Sequence, residues 1–338
     1  MNISICYNQV PPELFRGESA DRISEAGAEK EALAVQEALH RRGYRPELVG
    51  LGSDPLVFAK ALRAARPELV FNLCEGFWGD SRKEFQVAAL IELLGFTCTG
   101  SGPLCLGLTQ DKLRAKDLMR AHGLPTPRYL GFAPGEAFSG CGGLAYPLIV
   151  KPRYEDASLG ISSASVVADE FSLRRRIAYV HDLYRQDALV EEFIAGRELN
   201  VAVLGNSPFE VLPLSEIVFQ DDQQPAIVGY EGKWFEDSAA YARTVPLCPA
   251  PLTPEVAQRV AEIAQRACRL FACRDYARVD FRLRDDIPYI LEINANPDLS
   301  PDAGLARSAA VAGLTYPDLI ERLCAFAGRR KETGHASA

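Results

Sequence analysis

Apolar and polar residues alternate strictly over Arg278–Val279–Asp280–Phe281–Arg282 and again over Leu291–Glu292–Ile293–Asn294. A period of two marks strands, with Val279 and Phe281 on one face and Asp280 and Arg282 on the other. In the second stretch Leu291 and Ile293 share a face, opposite Glu292 and Asn294. Between the two, Asp285, Asp286 and Pro288 read as a hairpin turn. Closing that hairpin brings Asp280, Glu292 and Asn294 onto one face. Two carboxylates and an amide oxygen on rigid strands suit a hard cation such as Mg²⁺, which keeps waters and takes substrate phosphates as further ligands. An antiparallel pair with a solvated polar face has the same spacing.

Upstream, strand and helix patterns take turns over residues 1–102. Ile3–Tyr7, Arg45–Val49 and Leu69–Leu73 read as strands. Glu25–Arg42 is a helix with Ala32, Val35 and Leu39 on one stripe and Gly43 as its cap. Pro55–Arg66 opens on a proline, and Glu84–Leu94 follows an irregular loop. This order predicts a parallel sheet covered by helices, whose ligands collect at the carboxyl ends of the strands. Glu75, in the loop after Leu73, stands at such an end. Neither a Gly-rich dinucleotide fingerprint nor a P-loop is present.

Thr99–Gly100–Ser101–Gly102–Pro103 is a turn cluster and a domain boundary. Lys112 opens a helix that runs to about His122. In Leu148–Pro152 a lysine, Lys151, ends an apolar strand, and a polar loop with Ser158 and Gly160 leads to a second strand at Ser163–Val167. Backbone N–H groups in such a loop can cap phosphate oxygens. Lys151 itself is expected to pack against little. Ala188–Phe193 is a strand with Glu191 and Glu192 at its end, turning into Leu199–Leu204. Carboxylates and carbonyls at that junction suit the amino group of an adenine and the hydroxyls of a ribose. Val218–Tyr241 is long and polar and reads as a lid. Thr253 caps a helix to about Phe271, and residues after about Gly328 read as a frayed tail.

Composition narrows the class. The 338 residues are 48% hydrophobic and 24% charged, ordinary for a soluble globular protein of two or three domains. A net charge of −8 argues against a nucleic-acid or anionic-membrane partner. No apolar run reaches the length of a membrane span, and no basic leader precedes the first strand, so a cytoplasmic protein is expected. Nine scattered cysteines without a Cys-x-x-Cys pair read as reduced thiols, and four isolated histidines make zinc chemistry unlikely.

The motifs Thr99–Gly102, Asp111–Leu113, Val150–Pro152, Glu191–Glu198, Tyr230–Lys233, Ala277–Asp280 and Leu291–Asn294, in that order, resemble those of the ATP-grasp superfamily and within it the D-alanine–D-alanine ligases. The resemblance implies an α/β ATP-grasp fold. Its parts would be a parallel α/β domain at 1–102, a small α+β domain at 103–195, an α+β domain at 196–330 and a tail at 331–338, with nucleotide between the second and third. It implies that Lys112 and Lys151 hold ATP phosphates and that the Ser158 loop caps them. Glu191, Glu192, Phe193 and Ile194 would form the adenine hinge, and Glu198 would take the ribose. Lys233 would reach the terminal phosphates. Asp280, Glu292 and Asn294 would carry two Mg²⁺, with Mn²⁺ as an alternative. Arg278 would orient the first substrate and stabilise the tetrahedral intermediate. A homodimer is expected.

The amino-acid side departs from that family. Its first-domain acidic motif is not found in Asn8–Ser24. Asp156–Ala157–Ser158 replaces a run with two adjacent serines, and Trp234 replaces a tyrosine or phenylalanine. Glu75 stands for a histidine, Asp298 for a glycine and Ala303 for the serine that meets the second carboxylate. The glutamate–serine–tyrosine link of those ligases therefore cannot form through side chains. The expected activity is ATP-dependent joining of a carboxylate to an amine through an acyl phosphate, with amino acids or amino-acid-like molecules as substrates. A genuine D-alanine–D-alanine ligase and a non-catalytic ATP-binding regulator are the alternatives.

Overall fold

The computed structural model describes residues 1–11, 17–18, 22–220, 225–235 and 237–335, with backbone alone at 22–26 and 331–335. The chain opens with β1 (Asn2–Asn8), α1 (Arg22–Arg41), β2 (Arg45–Leu51), α2 (Pro55–Ala65), β3 (Leu69–Asn72) and α3 (Glu84–Leu93). The three strands are parallel in the order β2-β1-β3, as their alternation with helices predicts. Alternation splits the sheet between two cores. Ile3, Ile5 and Phe71 meet Val35 and Leu39 of α1, whereas Cys6, Val49 and Val70 meet Phe58 of α2 and Ile91 of α3.

There follow α4 (Pro103–Gln110), α5 (Lys112–Ala121), β4 (Tyr129–Phe132), β5 (Leu148–Pro152), β6 (Val166–Val167), α6 (Glu170–Tyr179) and β7 (Ala188–Glu192). Their sheet runs β4-β7-β5-β6 and is antiparallel. The remaining elements are β8 (Arg197–Leu204), β9 (Glu210–Val211), β10 (Ser215–Phe219), α7 (Tyr230–Trp234), α8 (Ala239–Ala242), β11 (Thr244–Leu247), α9 (Pro254–Leu270), β12 (Tyr276–Arg284), β13 (Ile287–Asn294), α10 (Gly304–Val311) and α11 (Tyr316–His335). The third sheet is ordered β11-β10-β8-β12-β13, with β9 on β8. Helix α9 buries Val256, Val260 and Ile263 against Val279 and Phe281. Helix α11 returns to the first sheet, where Leu319, Ile320 and Leu323 join the core of Ile3 and Phe71.

Four expectations change. Residues 103–110 form α4, because Pro103 is a first-turn proline as well as the end of a turn cluster. Ser163–Ser165 is a 3₁₀ turn, and only Val166–Val167 pairs with β5. The serines there bond locally, Ser162 N–H donating to Ser165 Oγ at 3.0 Å, and so compete with a ladder. Helix α11 continues through Gly328 to His335, and only 336–338 of the expected tail lie outside the described residues. The hairpin carries a bulge: Asp280 faces Glu292, but Phe281 faces Ile290. The extra residue, Leu291, leaves the core face it was expected to share with Ile293, and Ile290 takes the buried place.

The hairpin turn is Asp285–Asp286, with φ of 52° and 58°. Both values suit a two-residue turn that matches strand twist, and both are unfavourable for a side chain. Asp286→Gly should therefore raise unfolding free energy by about 0.5–1 kcal/mol, read from urea midpoints, with β12–β13 register kept.

Candidate active site

Cross-strand register builds the acidic face. Asp280 pairs with Glu292 on one side and with Asn200 of β8 on the other, and Arg278 pairs with Asn294. Arg278 Nε and Nη2 each donate to Asp280 at 2.8 Å. Asn200 Nδ2 donates to Asp280 Oδ1 at 2.8 Å, and Asn294 Nδ2 to Asp280 Oδ2 at 3.0 Å. Burial would raise the Glu292 carboxyl, but Lys112, Lys151, Arg278 and Lys233 hold it at about 2. The set is oxygen-rich and rigid and includes the ionised Glu292, which fits a hard dication. Among the described residues no group of three or more His, Cys, Asp or Glu forms a metal cluster, so such a cation would need Asn294 and ligand oxygens as well.

The lysines are held by carboxylates. Lys112 opens α5 and donates to the Glu155 carbonyl at 2.6 Å and to Asp156 Oδ1 at 2.7 Å, 3.7 Å from Glu292 Oε2. Burial opposes its charge, but Asp156 and Glu292 raise its pKa. Lys151 lies 2.9 Å from Glu191 Oε2, and Lys116 Nζ lies 2.5 Å from Glu191 Oε1. Glu191 is fully buried, and the two lysines hold it below the ordinary carboxylate range against the cost of burial. Lys116 is 1% exposed and has a lowered pKa, through burial that Glu191 only partly offsets. Sequence reasoning missed Lys116. Its one signal was its spacing, four residues after Lys112 and so on the same helix face.

Other side chains settle differently from expectation. Glu192 Oε1 takes bonds from Arg128 and from Ala145 N–H, and beyond the strand end Phe193, whose N–H donates to the Pro147 carbonyl at 2.9 Å, and Ile194 line the cavity. Glu198 pairs with Arg282 at 2.6 Å, yet burial keeps its pKa raised. Ala157 and Ser158 both have positive φ, 54° and 62°, and Ser158 Oγ donates to the Val228 carbonyl at 3.0 Å. The lid expectation, Val218–Tyr241, includes 221–224 and 236, outside the described residues. Its described part seats on the lysine loop, with Trp234 Nε1 donating to the Ala157 carbonyl at 3.0 Å. The indole also packs over α1, where a Cβ on Gly27 would stand 3.7 Å from the ring. Lid, lysine loop and first helix thus meet through one ring and a main-chain acceptor. Lys233 is half-buried beside Arg278, and desolvation and that guanidinium lower its pKa.

Glu31, Glu75 and Asp298 come together as a second acidic group of the site. Glu31 is 6% exposed, and its Oε1 accepts the Leu299 N–H at 2.7 Å. Burial, then Glu75 and Asp298, push its carboxyl well above the usual value. Asn8 Oδ1 accepts the Glu75 N–H at 2.8 Å and positions that loop. Ala303 is the N-cap of α10 and offers no side-chain bond. Glu31, Asn200, Asn296 and Arg307 were not read from the sequence. For Asn200 the signal was present, since Glu198 and Asn200 alternate with buried Leu199 and Val201. The acidic first-domain motif sought in Asn8–Ser24 falls partly on 12–16 and 19–21, outside the described residues. Every candidate ATP, metal, catalytic and substrate residue read from the sequence, from Glu75 and Lys112 to Asp298 and Ala303, lines one cavity of about 770 Å³.

The fold matches that of a D-alanine–D-alanine ligase from Bacillus anthracis complexed with ATP, with a TM-score of 0.78, 21% identity and 99% of each chain covered. It is the ATP-grasp fold of an ATP-dependent ligase that makes a carbon–nitrogen bond. Residues 118–325 match the family model for the D-ala D-ala ligase C-terminus. The D-alanine–D-alanine ligase of Desulforudis audaxviator is 35% identical over 300 residues, 88% of this chain and 92% of that one. That of Bordetella petrii is 34% identical over 90% of this chain and 88% of its own. An uncharacterized protein of Sinorhizobium fredii, y4sG, is 39% identical over 78% of this chain and 75% of its own. The chain belongs to the D-alanine–D-alanine ligase family. No helix among the described residues is long and apolar enough to cross a membrane.

Two variants test the charge network. Lys151 is not the loosely packed lysine that the sequence suggests, because it shares a buried carboxylate. Lys151→Ala should cost about 2 kcal/mol of stability without nucleotide, by urea unfolding, since Glu191 loses one of two partners. Unchanged stability would refute that pairing. Glu31 titrates the other way. Its folded pKa lies above its unfolded value, so it lowers stability increasingly as pH rises from the unfolded value through the folded one. Glu31→Gln should stabilise the protein at pH 8 and change little near pH 4.

Proposed function

We propose that this chain joins the carboxylate of one amino acid, or of a small amino-acid-like molecule, to the amine of a second. The donor carboxylate takes the terminal phosphoryl group of ATP, giving an acyl phosphate and ADP. The acceptor amine then attacks the acyl carbon, loses a proton and releases phosphate. The observation that carries this reading is the convergence of Arg278, ionised Glu292 and three lysines in a cavity that also holds Glu31, Glu75 and Asp298. The groups gathered around Glu292 are lysines and an arginine, which suits a phosphoryl transfer carried by positioning and charge neutralisation.

In this proposal Lys112, Lys151 and the Ser158 loop hold ATP phosphates. Glu191 to Ile194 face the adenine, with Glu191 acting through Lys151, and Glu198 faces the ribose. Lys233 reaches the terminal phosphate from the lid, which excludes water from the acyl phosphate. Asp280, Glu292 and Asn294 would hold Mg²⁺ or Mn²⁺, which supplies charge neutralisation at the phosphates. Arg278 orients the donor carboxylate. Glu75, Trp234, Asp298 and Ala303 surround the amino acids. The division at 102 and 195 is kept as part of the proposal, each piece built round one sheet. Exposed Leu56 and Val57 on α2 and Leu93 on α3 support a dimer through the first piece.

A second reading, D-alanyl-D-alanine synthesis itself, is favoured by the relatives of that name, which align with most of this chain. Phosphate release from ATP and Mg²⁺ over a panel of D- and L-amino acid pairs separates the readings. Clear release is expected with a pair other than D-alanine alone, and Glu292→Gln should cut it by about 100-fold with melting unchanged. Efficient D-alanine joining at low millimolar concentration would establish the second reading. No release with any pair would leave an ATP-binding regulator.

A further inference from the structure

We infer that Arg307 recognises the carboxylate of the acceptor, so that the acceptor is an amino acid with a free carboxylate and not a simple amine. The inference rests on the ligase reading and deepens it. It starts from the cations of the cavity. Lys112 is paired with Asp156, Lys151 with Glu191, Arg278 with Asp280 and Arg282 with Glu198. Among the described residues Lys30, Lys233 and Arg307 line the same cavity without a carboxylate ion pair; Lys30 is exposed and Lys233 lies beside Arg278 in the field of Glu292, which leaves Arg307. Its Nη2 donates to the Asp302 carbonyl at 2.7 Å, which fixes the head over the 300–304 loop with one neutral acceptor. A guanidinium has five N–H donors, so a forked pair remains for a carboxylate.

The neighbouring backbone agrees. Arg307 N–H donates to the Ala303 carbonyl at 2.9 Å, so the side chain stands one turn into α10, on the side of its uncapped start. Ala303 brings no hydroxyl, and a Cβ on Gly304 would meet nothing within 4 Å. A carboxylate in that space meets the helix N-terminus and the guanidinium together. This is a different way to hold an acid from a serine hydroxyl, and it selects for full negative charge. A hydroxyl can donate to a neutral amide oxygen as readily as to a carboxylate, whereas a guanidinium gains most from the ionised form.

The test is steady-state kinetics at saturating ATP and donor, with each panel acceptor that supports phosphate release compared with its own primary amide. The wild type should prefer the acid over the amide by about 10- to 100-fold in kcat/KM. Arg307→Met should raise KM for the acid acceptor by a similar factor, keep KM for ATP within about twofold, and lose the preference over the amide. Arg307→Lys should restore part of it, since an ammonium pairs at one point only. Equal use of acid and amide by the wild type overturns the inference without any variant. An unchanged acceptor KM in Arg307→Met does the same, and in both cases phosphate release leaves the ligase reading standing. Absence of release with every acceptor overturns the ligase reading, and the inference with it.

Discussion

The cavity depends on the register of β12 against β13. A slip of one residue would turn Asp280 and Glu292 into the core of α9 and put Val279 and Ile293 in their place. Two local features hold that register. The Asp285–Asp286 turn admits two loop residues in left-handed conformation, and the bulge after Asp280 absorbs one extra residue on β13. The bulge also turns Leu291 to the cavity and brings its carbonyl to 3.3 Å from Lys116 Nζ. On the other flank, β8 opposes Asn200 to Asp280 and Glu198 to Arg282. The polar face across three strands therefore follows from one alignment.

Charge balance is the second constraint. A carboxylate or an ammonium kept from water without a partner would cost several kcal/mol, so the site is built of compensated sets. The lysines that face phosphate in the proposed complex pair with protein acids, Lys112 with Asp156 and Lys151 with Glu191. Those pairs hold the two cations partly desolvated and in fixed positions. Lys112 has a further consequence. It touches Asp156 on the lysine loop and lies near Glu292 on the hairpin, so it ties the position of a loop to that of a strand. The lid joins the same loop through Ser158 and Trp234.

How much of this was legible in the sequence follows from the range of each signal. Strand alternation, N-caps and prolines are local, and from them the hairpin, the first sheet and most helices could be read. Ordered motifs carried the ATP-grasp assignment, because their residues sit where backbone geometry and ligand chemistry coincide. The bulge was hidden, since Leu291 and Ile293 show the same alternation with or without it. Lys116, Glu31 and Arg307 were hidden for another reason. Each is a charged residue on a helix, where solvation is the ordinary fate, and only packing from distant segments makes it face a cavity. Glu31 shows the distance involved: its hydrogen-bond donor, the Leu299 N–H, comes from 268 residues away.

Trp234 shows how the two halves of the site can differ without loss of the fold. In the resemblance that the sequence carries, three side chains link first domain, loop and lid. Here the loop contributes a backbone carbonyl, the first helix contributes the open face of Gly27, and the indole spans both. A backbone acceptor is available whatever residue occupies position 157, so the serine can be absent while the lid still lands. What the exchange alters is the wall of the cavity. An indole stands where the resemblance has a phenol, and Asp156, next to Ala157 in sequence, engages Lys112. The phosphate-facing groups are anchored by strand register and buried ion pairs, so they tolerate little change. The amino-acid end is made of loop residues, a helix start and one helix face, where single substitutions change shape and charge at small cost to the core. On the proposed assignment, that difference in anchoring accounts for a nucleotide end that keeps its family pattern and a substrate end that departs from it at Trp234, Asp298 and Ala303.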